Sequence, residues 1–162
     1  MKTYSGLITK LNPNQIFVFG SNTEGIHGAG AAKQAIQFGA IYGQAEGRQG
    51  QTYAIITKDL SVGMRSIPKF KITRSIDKLY AYAMDNHDLE FLIAYSGAGK
   101  NLNGYTNREM AGMFWSAGLS QVDKAYLDSE TTQSVLPYIP KNIVFEREFW
   151  QLIQDTDRDM MI

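Results

Sequence analysis

The chain has 162 residues, 44% of them hydrophobic and 20% charged, a balance that fits one globular domain able to bury its own core. Its 16 basic and 16 acidic residues cancel, so the basic field that holds nucleic acid is missing and nucleic acid is not an expected partner. With no cysteine, disulfides, thiolate metal sites and cysteine nucleophiles are excluded, and no apolar run is long enough to span a bilayer.

The opening Met1-Lys2-Thr3-Tyr4-Ser5-Gly6 lacks the apolar core of a signal peptide, so a cytosolic protein without a membrane partner is expected. No repeat, linker or low-complexity segment interrupts the chain, and residues 1–162 read as a single domain. Tyr4 to Leu11 reads as a first edge strand, closed by the turn residues Asn12-Pro13-Asn14. Ile16 to Phe19 is apolar at every position, as in a strand covered on both faces. Gly20-Ser21-Asn22 opens a glycine-bearing loop that runs through Gly25, Gly28 and Gly30 into a helix expected over 30–38, with Gly39 as its stop. Residues 43–51 read as a polar loop and Tyr53 to Thr57 as another buried strand. Arg74 to Asn86 carries Ile76, Leu79, Tyr80 and Ala83 at helical spacing. Leu89 to Tyr95 reads as a strand, and Ser96-Gly97-Ala98-Gly99 opens a second glycine loop that includes Gly104.

Thr106-Asn107-Arg108-Glu109 is a capping box, which predicts a helix from Asn107 to about Ala117 with Gly118 as its cap. Short strands are expected at 124–127 and 142–145, then a helix over 146–154. Asp155-Thr156-Asp157-Arg158-Asp159 reads as a solvated end. Strands alternating with helices point to a three-layer α/β/α fold, in which ligands collect at the carboxyl ends of strands. Both glycine loops stand at such ends. Glycine lets bare backbone N–H groups approach a phosphate, and two such loops would grip a nucleotide from two sides. For either loop taken singly, tight turns and helix packing explain the glycines as well.

Familiar signatures fail by one or two positions. A phosphate-binding Gly-Lys motif would need glycine at Ala94 and a hydroxyl at Asn101. A dinucleotide fingerprint starting at Gly28 would need glycine at Lys33, and a serine-hydrolase elbow around Ser96 would need glycine at Ala94 and Ala98. His27 and His87 are far apart and lack metal-ligand spacing, so neither a metal nor a cofactor is expected. His87 reads as a surface turn. His27, inside the first glycine loop, reads either as a structural group or as a ligand contact. Phe114, Trp115 and Trp150 would supply the apolar patch of a pure interaction protein, although aromatics at helical spacing usually belong to a core.

Three segments in order resemble the macro domain, the family that binds ADP-ribose and its derivatives. Gly6-Leu7-Ile8-Thr9-Lys10-Leu11 is similar to its Gly-Asp-Ile-Thr opening, and Ile16 to Asn22 to its strand ending in Asn-Ala-Ala-Asn. Gly25-Ile26-His27-Gly28-Ala29-Gly30-Ala31-Ala32 stands where the family has its first loop and alanine-rich helix. Ala94 to Gly99, followed by Asn103-Gly104-Tyr105 and Glu109-Met110-Ala111, is similar to its second, phosphate-binding loop and helix. The likeness is strongest to a divergent branch found in phages and bacteria. Two departures stand out: Leu7 replaces the aspartate that reads the adenine amino group, and two extra residues separate Gly99 from Gly104.

The resemblance implies a macro-like fold with a mixed central sheet and a pocket for an ADP-ribose-like small molecule. Gly20, Ser21, Asn22, Gly25, His27, Gly28, Ala29, Gly30 and Ala31 would bind from the first loop, and Ser96, Gly97, Ala98, Gly99, Asn101, Gly104 and Tyr105 from the second. Asn22 would reach the distal ribose and Tyr105 would close over the ligand. Some members hydrolyse ADP-ribosyl linkages. For that chemistry Asn22, Glu24 and His27 are the candidates, with histidine suited to general base work near neutral pH. Binding or sequestration, hydrolysis, and protein interaction without a small ligand are the three readings carried forward.

Overall fold

A computed structural model describes residues 1–97, 101–126 and 137–160. Strand β2 (Gln15–Asn22) runs near the middle of a sheet ordered β1 (Thr3–Tyr4), β6 (Ile143–Glu146), β5 (Glu90–Ile93), β2, β4 (Thr52–Lys58), β3 (Gly47–Gln49). Every neighbouring pair is parallel except β3 with β4. The all-apolar stretch of β2 has the physical reason anticipated: alternate side chains leave on opposite faces, and both faces are covered. Ile16 and Val18 join one core with Ile55, Phe91, Ile93, Ile143 and Phe145, while Phe17 and Phe19 join a second with Ala54, Leu92 and Val144.

Helix α1 (Gly30–Ala35) and the 3-10 turn Ile36–Phe38 cover the second core. Helices α2 (Lys69–Met84), α3 (Asn107–Tyr126) and α4 (Arg147–Met160) cover the first. The chain is therefore a mixed α/β protein with helices on both faces of a six-stranded sheet. None of its described helices is long and apolar enough to cross a membrane.

Several boundaries differ from the sequence reading. Of the expected Tyr4–Leu11 strand only Tyr4 pairs in the sheet, together with Thr3 before it; Gly6 turns the chain at φ +83° and the rest runs as a loop. Inside the polar stretch 43–51, β3 forms an edge strand without hydrophobic alternation, and Gln49 accounts for it. Its buried amide accepts the Ile41 N–H at 2.7 Å and donates to the Gln44 carbonyl at 2.9 Å. Helix α2 starts five residues before Arg74, because Pro68 caps it while Lys69, Phe70 and Lys71 face solvent and carry no apolar period. Helix α3 runs through Gly118 rather than ending there. A side chain at Gly118 would meet Pro137 at 2.9 Å and Ile139 at 3.2 Å, so this glycine permits close packing of the returning chain. Residues 124–126 continue α3 instead of forming a strand, and Leu127 lies outside the described residues. The expected solvated end is the last part of α4, where Asp157 Oδ1 accepts the Trp115 indole N–H at 3.3 Å.

The capping box at α3 forms as read. Glu109 N–H donates to Thr106 Oγ1, and Thr106 N–H donates to a Glu109 carboxylate oxygen, each at 3.1 Å. The Arg65 guanidinium, foremost, and then the Thr106 N–H and Lys69 hold the Glu109 carboxyl at about 2, below its ordinary 4.5. A lowered folded value stabilises the fold above the unfolded value and loses that contribution as pH falls through the folded one. Glu109→Gln is therefore expected to flatten the stability profile between about pH 5 and pH 2, removing roughly 1 kcal/mol because the pair is screened by solvent. Denaturant titrations across that window check it; identical profiles for the two proteins would count against the assignment.

Candidate functional site

Helix α1 follows β2 on one face of the sheet, whereas α3 follows the adjacent β5 on the other. Connections that leave neighbouring strands in opposite directions open a crevice at the carboxyl ends. A cavity of about 430 Å³ occupies it. On the α1 side stand Leu7, Ile8, Ala29, Gly30, Ala31 and Gln34; on the α3 side stand Tyr95, Ser96, Asn101, Asn103, Asn107 and Met110. Gly20, Thr57, Ile93 and Ala94 line it from the strand ends between them.

No described residue lining the cavity carries a formal charge. Tyr4 and Tyr95, both in the lining, keep their phenol protons. Burial first and the Glu146 carboxylate second push Tyr4 well above the ordinary value, while burial, then Glu148 and Glu146, raise Tyr95. The Tyr4 hydroxyl donates to the Ile93 carbonyl at 2.6 Å, and Gln34 Nε2 donates to the Ile8 carbonyl. The described walls of the cavity thus offer apolar surface and neutral polar groups.

Of the residues singled out from sequence, Gly20, Ala29, Gly30, Ala31, Ser96 and Asn101 come together on this cavity. The two loops touch each other there. Gly30 sits at φ +59°, and a side chain on it would meet Leu102 at 2.9 Å, so the glycine lets the second loop close against the first. Gly28 and Gly97 are exposed near the lining without being part of it, and Ala98 and Gly99 lie outside the described residues.

The others point elsewhere. Asn22 folds its amide back on its own turn: Nδ2 donates to the Ile26 carbonyl at 2.7 Å, and Oδ1 accepts from the N–H groups of Glu24 and Ile26. Glu24 is exposed and outside the lining. His27 is 2% exposed, lies edge-on to Phe19, and holds the Ile41 carbonyl through Nε2 at 2.9 Å. A carbonyl only accepts, so Nε2 carries a proton, and Nδ1 is buried with no partner among the described residues. Ser21 is buried beneath the Thr57 hydroxyl, which donates to its carbonyl at 3.2 Å. Gly25 packs on the backbone of Gly43 and Gln44, and Gly104 on Met64 and Arg65. Tyr105 is buried, donates its hydroxyl to the Ile67 carbonyl at 2.7 Å, and lies under the Arg65 guanidinium. His87 is in an exposed turn, as read. Phe114 and Trp115 are buried in the core and Trp150 stacks on Phe145, while Trp115 and Trp150 also line a second, shallower cavity of about 550 Å³ with Pro137, Tyr138, Ile139 and Ile153.

The sequence reading named Asn101 but missed Asn103 and Asn107 as residues of the site. Asn101 Nδ2 donates to Asn107 Oδ1 and to the Tyr105 carbonyl, both at 3.0 Å, and Asn107 hydrogen-bonds the Tyr95 phenol. Asn103 lines the same wall. Their density in Asn101-Leu102-Asn103-Gly104 was the available signal, but asparagine beside glycine is ordinary turn chemistry. Comparison of the chain with protein-family models and with curated proteins gives no match.

Proposed function

We propose that the chain is a macro-like domain of the phage and bacterial type, and that its cavity binds ADP-ribose or a related ADP-ribose-derived nucleotide, serving to bind or sequester that signal in the cytoplasm. The observation that carries this reading is a cavity at the switch between β2 and β5, walled by the two glycine-bearing loops and free of formal charge among its described lining residues. Its volume of about 430 Å³ lies in the range usual for small-molecule sites. Backbone and amide N–H groups suit reversible capture of a diphosphate, while Leu7, Ile8 and Phe19 offer apolar surface to a base.

Binding is favoured over hydrolysis by the placement of the candidate catalytic groups. Asn22 turns its amide back onto the backbone of its own turn, His27 is buried behind the loop, and Glu24 is exposed outside the lining. Isothermal titration with ADP-ribose and its cyclic or substituted relatives tests the reading. At a ligand concentration about 100 times Kd, the bound protein should gain roughly 2.7 kcal/mol of stability. Chromatography after long incubation with substoichiometric protein should return the ligand intact. Absence of both heat and thermal shift with every member of the panel would sink the nucleotide reading, and catalytic turnover would replace sequestration with hydrolysis.

A further inference from the structure

Asn103 lines the cavity yet is only 4% exposed. Its side-chain oxygen accepts the Tyr105 N–H at 3.1 Å, which decides the orientation of the amide. The nitrogen is left with one partner among the described residues, the Met110 thioether at 3.6 Å. Sulfur is a weak acceptor, and a primary amide has two N–H groups to satisfy. Buried side-chain nitrogens ordinarily have at least one oxygen or nitrogen acceptor, because water is not there to compensate. The amide is also held in place. The Asn103 carbonyl accepts the Arg65 N–H at 2.7 Å, and Arg65 is the one non-glycine residue with positive φ among those described. Gly104 N–H closes the turn on the Asn101 carbonyl at 2.9 Å.

We propose that Asn103 is a specificity-determining ligand contact, its Nδ2 donating to a phosphoryl oxygen of the bound molecule. The inference rests on the nucleotide reading of the site. A phosphoryl oxygen accepts without donating, which matches a donor poised in a wall whose described residues include no cation. Every other side-chain nitrogen described on that wall is committed to oxygen: Asn101 to Tyr105 and Asn107, and Asn107 to Tyr95.

Asn103→Asp is the discriminating variant, because it keeps the oxygen that accepts the Tyr105 N–H and turns the donor into an anionic oxygen. Its affinity for ADP-ribose is expected to fall at least about 100-fold; the buried, uncompensated carboxylate also lowers the melting temperature, so binding is compared at a temperature where the variant is folded. In the unaltered protein, the Asn103 side-chain amide resonances, identified by their loss in the variant, should shift on saturation with ADP-ribose. Binding by the variant within about 3-fold of the parent, or unmoved resonances, would overturn the assignment while leaving the nucleotide site standing. If the unaltered protein does not bind ADP-ribose at all, the site reading and this assignment fall together. Should Asn103→Asp fail to fold, the resonances of the unaltered protein decide alone, assigned by backbone connectivity.

Discussion

Replacing Gly25 with alanine is expected to cost the fold about 3 kcal/mol, lowering the melting temperature by roughly 6–12 °C. The residue sits at φ +68°, which an L side chain adopts only with strain. A Cβ there would lie 2.6 Å from the Gly43 carbonyl carbon and 2.7 Å from the Gln44 nitrogen. Those atoms are backbone and cannot swing aside as a side chain would. Relief would have to come from pulling the two loops apart, which stretches the 2.9 Å bond from Gly43 N–H to the Gly25 carbonyl and the His27–Ile41 contact beside it. Gly28, three residues on, is the control. It has no positive φ, and a Cβ there would come no closer than 3.9 Å to Ile26. Gly28→Ala should be nearly neutral. Equal melting temperatures for the two variants would show that the crossing at Gly43 does not constrain the first loop.

Filling the cavity is expected to abolish ligand binding. Ala94 continues the β5 ladder by one residue, its N–H donating to the Val18 carbonyl at 2.9 Å, and it packs toward the α1-side core where Ile8 and Phe19 also line the cavity. An indole introduced by Ala94→Trp would occupy space the ligand needs. An overpacking cost of about 3 kcal/mol in the complex corresponds to at least roughly 100-fold in affinity. Ala94→Ser, close in size, should bind as the parent does. Titration of both variants with ADP-ribose, alongside their melting temperatures, checks this. Parent-like affinity in a folded Ala94→Trp protein would place the ligand somewhere other than between the two loops.

The parts of this fold that were legible in the sequence share one property: local interactions decide them. The apolar run of β2 is buried on both faces as its composition requires, and Thr106 with Glu109 closes the helix start because both partners are three residues apart. The elements that were misread depend on distant neighbours. Gly118 looks like a helix stop, and only the passage of Pro137 and Ile139 across it turns it into an interior contact. The segment after Tyr4 looks like a strand until Gly6 turns it, and the loop that results carries Leu7, 79% exposed, and Ile8 to the cavity. Gln49 has no apolar pattern around it, yet its buried amide ties the loop that contains β3.

The same division runs through the site. Sequence alone determined the buried strands β2, β4, β5 and β6, the helices that cover them, the position of two glycine-bearing loops at strand ends, and the absence of cysteine and of net charge. These follow from residue type and spacing, which a linear chain displays in full. Only the tertiary structure decided which loop residues face the cavity, because that depends on how two turns cross in space. His27 and Asn22 carry suitable chemistry but spend it on the loop that holds them, through the Ile41 carbonyl and the Asn22 turn. Asn103 stands in the Asn103-Gly104-Tyr105 segment of the second loop, but only its burial beside the Met110 thioether shows that its nitrogen has no oxygen partner among the described residues.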